Sequence, residues 1–478
     1  MFTKLINWIR EWVKKMIGKN TIKQAIGSDI AISDPMITAL ELWSRMYIND
    51  AEWLSDTVKS LNLPAAIASE LSRLATLELE ITIEGSKRAD YLNEQFDKVR
   101  DKLRDVIEFG SAKGGLVFKP YVDGVNINVD FVQADQFFPI NFDSNGNITA
   151  CVFVDQRKQG DAYYTRLESH EMTTAEDKNG KVTDVCLIKN MAYKSSTKDI
   201  LGQQVPLSVI DDWRGLAPEA TITDIDKPLF SYFRFPQANN IDPASPLGVS
   251  GYARAVDLIK QADIQWSNLL WEFEATQAAI FVDVLAFGKD ANGKPILPNK
   301  RLYRAMETGS AEGELFEAWT PNIREENILR GLDAILKKVE FTCGLAYGTL
   351  SDPQMVEKTA TEIASAKQRS YATVVDIQKS VQTALDDLLY AMDTWATLSK
   401  LAPKGKYTAT YEFDDSVIVD KDAQFQQDLR LVQQGIMSPV EFRMRNFGED
   451  EKTAKQKIAD VRAAQEENSL FEDEQEEI

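Results

Sequence analysis

Asn239-Asn-Ile-Asp-Pro-Ala-Ser-Pro-Leu-Gly-Val-Ser-Gly-Tyr-Ala-Arg-Ala-Val-Asp-Leu-Ile-Lys260 is the stretch on which the fold turns: a run of chain breakers gives way at once to helix formers. Ser245 has the side chain of an N-cap, and Pro246 stands where a missing N–H is harmless. No proline or glycine follows between Tyr252 and Phe287, so the pattern predicts a long, sharply begun helix. Tyr252, Val256, Ile259, Trp266, Leu270 and Phe273 form one heptad-like stripe, with Ala255, Leu258, Ala262 and Leu269 beside it and Ile264 and Trp271 on the far face. A helix apolar on more than one face must be covered on more than one side, as a central core helix or as one wedged between neighbouring copies. At 1.5 Å per residue it would span roughly 40 Å.

Downstream, Ala278 to Leu285 reads as a buried strand, and Gly288 to Pro295 is a turn cluster opening a small subdomain that runs to Pro321. Its first half is basic, with Lys289, Lys294, Lys300, Arg301 and Arg304; its second is acidic, with Glu307, Glu312, Glu314 and Glu317. Such halves can pair between identical neighbours, or simply form a solvated excursion. Asn322 to Phe341 is a second helix, able to return antiparallel to the first, with Ile328, Leu332, Ile335, Leu336 and Val339 on one side. A breaker-rich loop, Gly344 to Lys358, leads to Thr359-Ala-Thr-Glu362, a capping box opening a helix of about forty residues. Val374, Val381, Leu385, Leu388, Met392 and Trp395 stripe that helix. A coiled coil is the alternative, but the pattern lasts three heptads, ends before Pro403, and is followed by a strand-like run from Tyr407 to Val419.

Upstream, helices are expected from Asp34-Pro35 to Tyr47, over Pro64 to Ala75 and over Lys87 to Phe109, with a strand from Leu77 to Ile83. From Gly115 to about Tyr193 the period is two, and Asn145-Gly146 and Asn179-Gly180 are hairpin signals, giving an α+β domain. Asp143 to Asn147 starts like a calcium loop, but the glycine is misplaced and Val154 stands where glutamate is needed, so a hairpin is expected. Three C-terminal helices follow, Asp422 to Gln434, Ser438 to Asn446 and Glu449 to Glu467; after Gln465 seven acidic residues face no basic one, which reads as a solvated tail. Met1 to Lys19 is a basic amphipathic arm, suited to a membrane surface, an acidic partner or the chain's own acidic body; it lacks a cleavage site, so a secretory signal is not expected.

The 478 residues, 44% hydrophobic and 27% charged, imply two to four structural units, and no apolar run is long enough for a membrane span. Three separated cysteines with no CxxC spacing, and one histidine, His170, argue against disulfides, zinc and histidine-based catalysis, and fit a reducing cytoplasm. No GxxxxGK[ST] loop is present, so no ATP motor is expected. Adjacent carboxylates such as Asp414-Asp415 and Asp386-Asp387 point apart, which leaves an enzyme the third reading. A net charge of −20 disfavours a firm grip on DNA and suits a wall along which DNA slides, though acidity for solubility alone explains it as well.

The words of residues 239 to 260, the loop and Thr-Ala-Thr-Glu helix of 344 to 365, and the phrases Phe137-Phe-Pro-Ile140 and Tyr163 to His170 resemble the portal proteins of long-tailed bacteriophages. On their own, the last two phrases read as core aromatics and a solvated strand. The resemblance runs from about Asp34 to Asp460. It implies an α+β, multi-domain ring subunit: an arm (1–22), a wing (23–247), a first stem helix (248–276), a clip (277–321), a second stem helix (322–343), a tunnel loop (344–358), a long helix with a return strand to the wing (359–420), a helical crown (421–467) and a tail (468–478). It further implies a ring of usually about twelve copies at one capsid vertex, conducting double-stranded DNA. Its partners would be a terminase large subunit, a head-completion or adaptor protein, and the major capsid and scaffold proteins. No cofactor, metal or catalytic residue is implied. Tyr347, Gln354, Lys358, Lys260 and Lys337 become candidates for facing DNA; Lys289, Lys294, Arg301, Arg304, Glu312, Glu314 and Glu317 become candidates for clip contacts. The alternative is a non-catalytic scaffold or membrane-associated adaptor docking through the N-terminal helix.

Overall fold

Helices come first because the N-terminal apolar residues recur at helical spacing and share one core. The computed structural model describes residues 19–77, 79–176, 182–276, 279–283, 303–306, 316–319, 322–352, 360–413 and 421–461. The basic arm of residues 1–18 and the acidic tail lie outside these. The chain divides into two compact units, Met1–Phe413 and Asp414–Ile478.

The first unit opens with α1 (Lys19–Ile26), α2 (Asp34–Tyr47) and α3 (Leu63–Thr76), then β1 (Glu80–Glu84), α4 (Lys87–Arg100) and α5 (Leu103–Lys113). The single helix expected over Lys87 to Phe109 is thus two. Their break at Asp101-Lys102 left no trace in the pattern, because Leu92, Phe96, Val99, Leu103, Val106 and Ile107 keep one buried face across it. The strand expected from Leu77 begins at Glu80, since Leu77 caps the end of α3.

The β region holds two open sheets. One has the order β10-β2-β3, from β2 (Gly115–Asp123), β3 (Asn126–Gln133) and β10 (Ser231–Arg234); the other runs β4-β5-β6-β7-β8, from β4 (Phe137–Phe142), β5 (Ile148–Gln159), β6 (Ala162–Glu176), β7 (Val182–Ser195) and β8 (Gln203–Val205), with β9 (Glu219–Thr223) also on β7. Asp143 Oδ1 accepts the Asn145 and Asn147 amides at 2.8 Å, and Gly146 has φ +81°, so this segment is the expected hairpin turn. Asn179-Gly180 lies outside the described residues, between strands paired from Tyr163↔Ser195 to Glu176↔Val182.

The stretch from Asn239 departs from its first reading. Ser245 Oγ receives the Leu247 amide at 3.3 Å and caps no helix; after a short 3-10 turn (Ala253–Ala255), α6 runs only over Val256–Ala275, 20 residues, or roughly 30 Å. The intervening residues are a linker pressed against the domain. A Cβ on Gly248 would stand 2.0 Å from the Gly114 carbonyl oxygen, and one on Gly114, at φ +86°, 2.6 Å from the Gly248 oxygen. The Gly251 amide bonds Ser111 O at 2.8 Å, and Tyr252 Oη bonds Trp43 O at 2.9 Å. The buried face of α6 also differs from the expected stripe: Ile259, Ala262, Asp263, Ser267, Leu269 and Glu272 are buried, whereas Phe273 and Trp271 are exposed. Asp263 is held there by Trp53 Nε1 at 2.9 Å and the Leu61 amide at 2.8 Å.

After α6, β11 (Ala279–Asp283) pairs in parallel with β12 (Tyr303–Met306) and antiparallel with β13 (Phe316–Trp319), and α7 (Glu325–Cys343) follows. The long helix α8 (Ala360–Leu398) buries Val374, Ile377, Val381, Leu385, Leu388 and Met392 within its own chain, so its stripe is core and not a coiled-coil seam. The capping residue Thr359 lies outside the described residues. β14 (Thr408–Glu412) then pairs antiparallel with β1, Ile81 opposite Tyr411. Arg88, 1% exposed, ties α4 to this return through Pro403 O at 3.1 Å and Thr397 Oγ1 at 3.2 Å.

In the second unit, α9 (Lys421–Gln433) and α10 (Pro439–Phe447) gather Phe425, Phe442 and Phe447 edge to face, and Ser438 caps α10 by accepting the Glu441 amide at 3.0 Å. Residues 451–461 are helical.

Gly248→Ala is expected to cost about 3 kcal/mol, because the atom its Cβ meets at 2.0 Å is the Gly114 backbone oxygen, which cannot swing aside. Gly124→Ala, at φ +63° but with nothing near its Cβ, is expected to cost only about 1 kcal/mol. Denaturant unfolding of the two variants would show the contrast; equal losses would refute the close approach.

Candidate functional site

Two helices and the loop that follows them carry the five candidates for facing DNA. At the end of the pair nearest the inserted strands, Glu272, only 2% exposed, accepts the Arg324 amide at 3.1 Å, Nε at 3.0 Å and Nη2 at 2.7 Å. This two-pronged bond joins the residue before α7 to the last turn of α6, at the two ends of the strand-bearing excursion.

At the other end of α7, Gly344 takes φ +73° and ends the helix; a Cβ there would meet Thr373 Oγ1 at 2.3 Å, so the loop leaves close against α8. Glu340, fully buried, organises this loop: its Oε1 receives the amides of Gly348 (3.1 Å), Leu350 (2.6 Å) and Ser351 (2.8 Å), and Ser351 Oγ reaches Oε2 at 2.9 Å. Asp333 Oδ1 takes the Asp352 amide at 3.1 Å. One buried carboxylate thus folds residues 348–351 around itself.

Of the proposed DNA-facing residues, Lys260 is exposed on α6 with no ion pair among the described residues. Lys337 Nζ is 2.5 Å from Asp333 Oδ2, one turn away on α7, and its charge is offset there. Tyr347 is half-buried in the anchored part of the loop, while Gln354 and Lys358 lie outside the described residues. Of the clip candidates, Arg304 and Glu317 stand opposite the same residue, Phe281, on the two flanking strands. Lys289, Lys294, Arg301, Glu312 and Glu314 lie outside the described residues.

A charged cluster in the β region was not expected. Lys119 Nζ lies 2.8 Å from Glu168 Oε2, Arg166 Nη1 3.0 Å from the same oxygen, and His170 Nε2 2.8 Å from Glu168 Oε1. Burial alone would raise the Glu168 carboxyl, yet Lys119, His170 and Arg166 hold it well below the ordinary range. The strand from Tyr163 to His170 is therefore not solvated at Glu168 and His170. The available signal was the alternation Arg166, Glu168, His170, which puts all three on one face of β6. They line a cavity of about 1020 Å³ with Trp213 and Trp395. Asp130, 3.6 Å from Lys119, and Asp155, 3.8 Å from Arg166, add further counter-charge, so the cluster is a polar core. Among the described residues no group of His, Cys, Asp and Glu could hold a metal ion, and no helix is long and apolar enough to cross a membrane. All three cysteines are buried; desolvation pushes the thiols of Cys186 and Cys343 up to about 11 and about 12, where nucleophilic thiolate is scarce.

The family model described as phage portal protein, SPP1 Gp6-like, matches residues 75–469. No curated protein matches the chain. Among solved structures, a chain titled "Neck of native GTA particle computed with C12 symmetry" is similar over 88% of this chain and 97% of its own, at 12% identity and a TM-score of 0.39, a likeness too loose to argue from.

Glu340→Ala would leave three loop amides without their acceptor. It is expected to cost about 2–3 kcal/mol and to speed amide hydrogen exchange at residues 348–351 while leaving exchange in the β region unchanged. Unchanged exchange in the loop would show that something else fixes it. The Glu168 interaction is intact above the unfolded carboxylate range, about pH 4.5, and is lost as the pH falls through the lowered folded value. Glu168→Gln should therefore flatten the acid limb of the stability curve. It should also cost about 3 kcal/mol at neutral pH, because Lys119 and Arg166 lose a buried counter-charge.

Proposed function

Because the chain belongs to the SPP1 Gp6-like phage portal protein family, we propose that it assembles as a closed ring, about twelve copies, at one vertex of a phage capsid. There it is the conduit for double-stranded DNA during packaging and ejection. The observation that carries this reading is the family match across residues 75–469, from the end of α3 through α6, α7 and α8 to the C-terminal helices. The architecture agrees with it. Two antiparallel helices, α6 and α7, bracket a small three-stranded sheet, and the Glu340-anchored loop connects them to the long helix.

In this reading the wing is residues 23–247 with the return strand, the stem is α6 with α7, the clip is 277–321 and the crown follows residue 420. The clip docks the terminase motor and later an adaptor, and the outer wing meets capsid and scaffold proteins. Tyr347, Gln354 and Lys358 meet the DNA from the loop. Lys260 offers an exchangeable phosphate contact, and Lys337 a weaker one because Asp333 already offsets it. With a net charge of −20, the wall repels the duplex overall, so each phosphate contact is brief and sliding meets little friction. The force for translocation comes from an ATPase in another chain.

Native mass spectrometry of the purified protein, with negative-stain images of the same sample, is the decisive measurement. The expected result is rings of about twelve subunits with a central hole. A stable monomer at high concentration, even with a scaffold partner, would overturn the conduit reading and turn attention to the N-terminal arm on anionic vesicles.

A further inference from the structure

The cavity beside Glu168 carries more acid in its wall than its own chain neutralises. Seven carboxylates line it against four lysine and arginine side chains, and the acids stay in excess even with Lys113 counted against Asp135. The surplus is at the rim, where Glu41 and Asp123 are exposed and have no ion pair among the described residues. Asp130, its side chain 49% exposed, has Lys119 at 3.6 Å, but Lys119 lies closer to Glu168. Two buried groups of the same wall also lack a partner: Ser44 Oγ, and Asp135 Oδ1, whose other oxygen takes Lys113 Nζ at 2.6 Å. Such groups out of water call for a donor.

The position of the chain's own basic segment fits this wall. Lys19 Nζ lies 3.3 Å from Asp34 Oδ1 at the start of α2, and the Ala31 amide bonds Pro139 O at 2.8 Å, next to Phe138 of the cavity wall. Glu41 and Ser44 are two to three turns farther along α2, roughly 10–15 Å. Asp123 marks the far end: Val117 pairs with Val132 and Asp123 with Asn126, so the wall along β2 runs roughly 20 Å between those levels. Residues 1–18 carry Lys4, Arg10, Lys14 and Lys15 against the single acid Glu11. As a helix they would span roughly 27 Å, with roughly 17 Å between Lys15 and Lys4. Charge, length and point of attachment therefore agree.

We propose that the basic arm, residues 1–18, lies in the cavity of its own chain, with Lys15 beside Glu41 and Lys4 toward Asp123. The apolar face of the arm, with Ile9, Trp12 and Val13, covers Tyr121, which is 41% exposed on the cavity wall. Among the apolar residues of that face only Trp12 has a side-chain N–H, and it supplies the donor that Asp135 Oδ1 lacks. Tethering gives the arm a high effective concentration at this site, so its docking withholds it from membranes and from other acidic partners. The proposal concerns a single chain and does not depend on the ring reading.

The test is hydrogen exchange on full-length protein, read by mass spectrometry beside a synthetic peptide of residues 1–18. Amides of residues 5–17 should exchange at least tenfold more slowly in the protein than in the peptide. Glu41→Lys with Asp123→Lys should bring them to within about threefold of the peptide, and adding Lys4→Glu with Lys15→Glu should restore at least fivefold protection. Glu41 and Asp123 are exposed, so the first pair of changes should leave the melting temperature of the protein unaltered. A carbodiimide applied to light and heavy isotope-labelled chains, mixed as dissociated protomers, should join Lys15 to Glu41 within chains. Peptide-like exchange in the wild type, or protection that survives the charge reversal, would overturn the proposal. So would cross-links found only between light and heavy chains, which would give the cavity to a neighbour's arm. Full-length protein that binds anionic vesicles as tightly as the peptide does would overturn it as well, since a docked arm is withheld from lipid.

Discussion

Two backbones cross at Gly114 and Gly248 with no room for a single carbon between them, and the parts on either side take their positions from that crossing. On one side α5 ends and β2 begins; on the other the chain leaves β10 and prepares α6. The Phe235 amide bonds Gly114 O at 3.0 Å, and the Gly248 amide bonds Tyr232 Oη at 3.2 Å. The linker is thus stitched to the strand it has just left and to the helix it passes. Helix α6 has its first turn set before it begins, and a long helix emerges from a rigid base.

Farther along, buried acids join apolar packing in fixing the helices. Asp263 gathers Trp53 and the Leu61 amide, Glu272 grips Arg324, and Glu340 collects three amides of the following loop. A buried carboxylate is costly unless its oxygens are satisfied, so each of these sites demands one arrangement of the surrounding chain. Leucines in their place would pack in several ways. The acids add direction to the apolar packing of Ile259, Leu269, Leu332 and Val339.

Element type was largely legible in the sequence, because the period of apolar residues records which face is buried. The long helix from residue 360, the return strand at Thr408, the Asp143 turn and the Ser438 cap all followed from local pattern and turn chemistry. What escaped was set by distant parts of the chain. Ser245 and Pro246 carry the signs of a helix start, yet the crossing at Gly114 needs that segment as a linker, and the helix waits until Val256. The Asp101 break hid because both halves keep one buried face. The buried Asp263 and Glu272 read as the wet side of a helix, since no local pattern names a partner some two hundred or fifty residues away. The family words pointed to the fold, but the Glu340-centred loop and the Glu168 cluster arise from residues whose spacing looks ordinary until the fold brings them together.

The pairing of β1 with β14 carries a consequence in time. Glu80 meets Glu412, so the strand made early waits for one made some 330 residues later. At 5–20 residues per second, that is about twenty seconds to a minute of synthesis. Throughout that interval the nascent chain carries an unpaired strand edge, and both helices of the α6–α7 pair are complete before the interval ends. Neighbouring ribosomes on one message would hold several such chains close together. Pairing of β14, the last of the described strands, therefore sets the order of events: the first unit closes its sheet only after α6, α7 and α8 have been made.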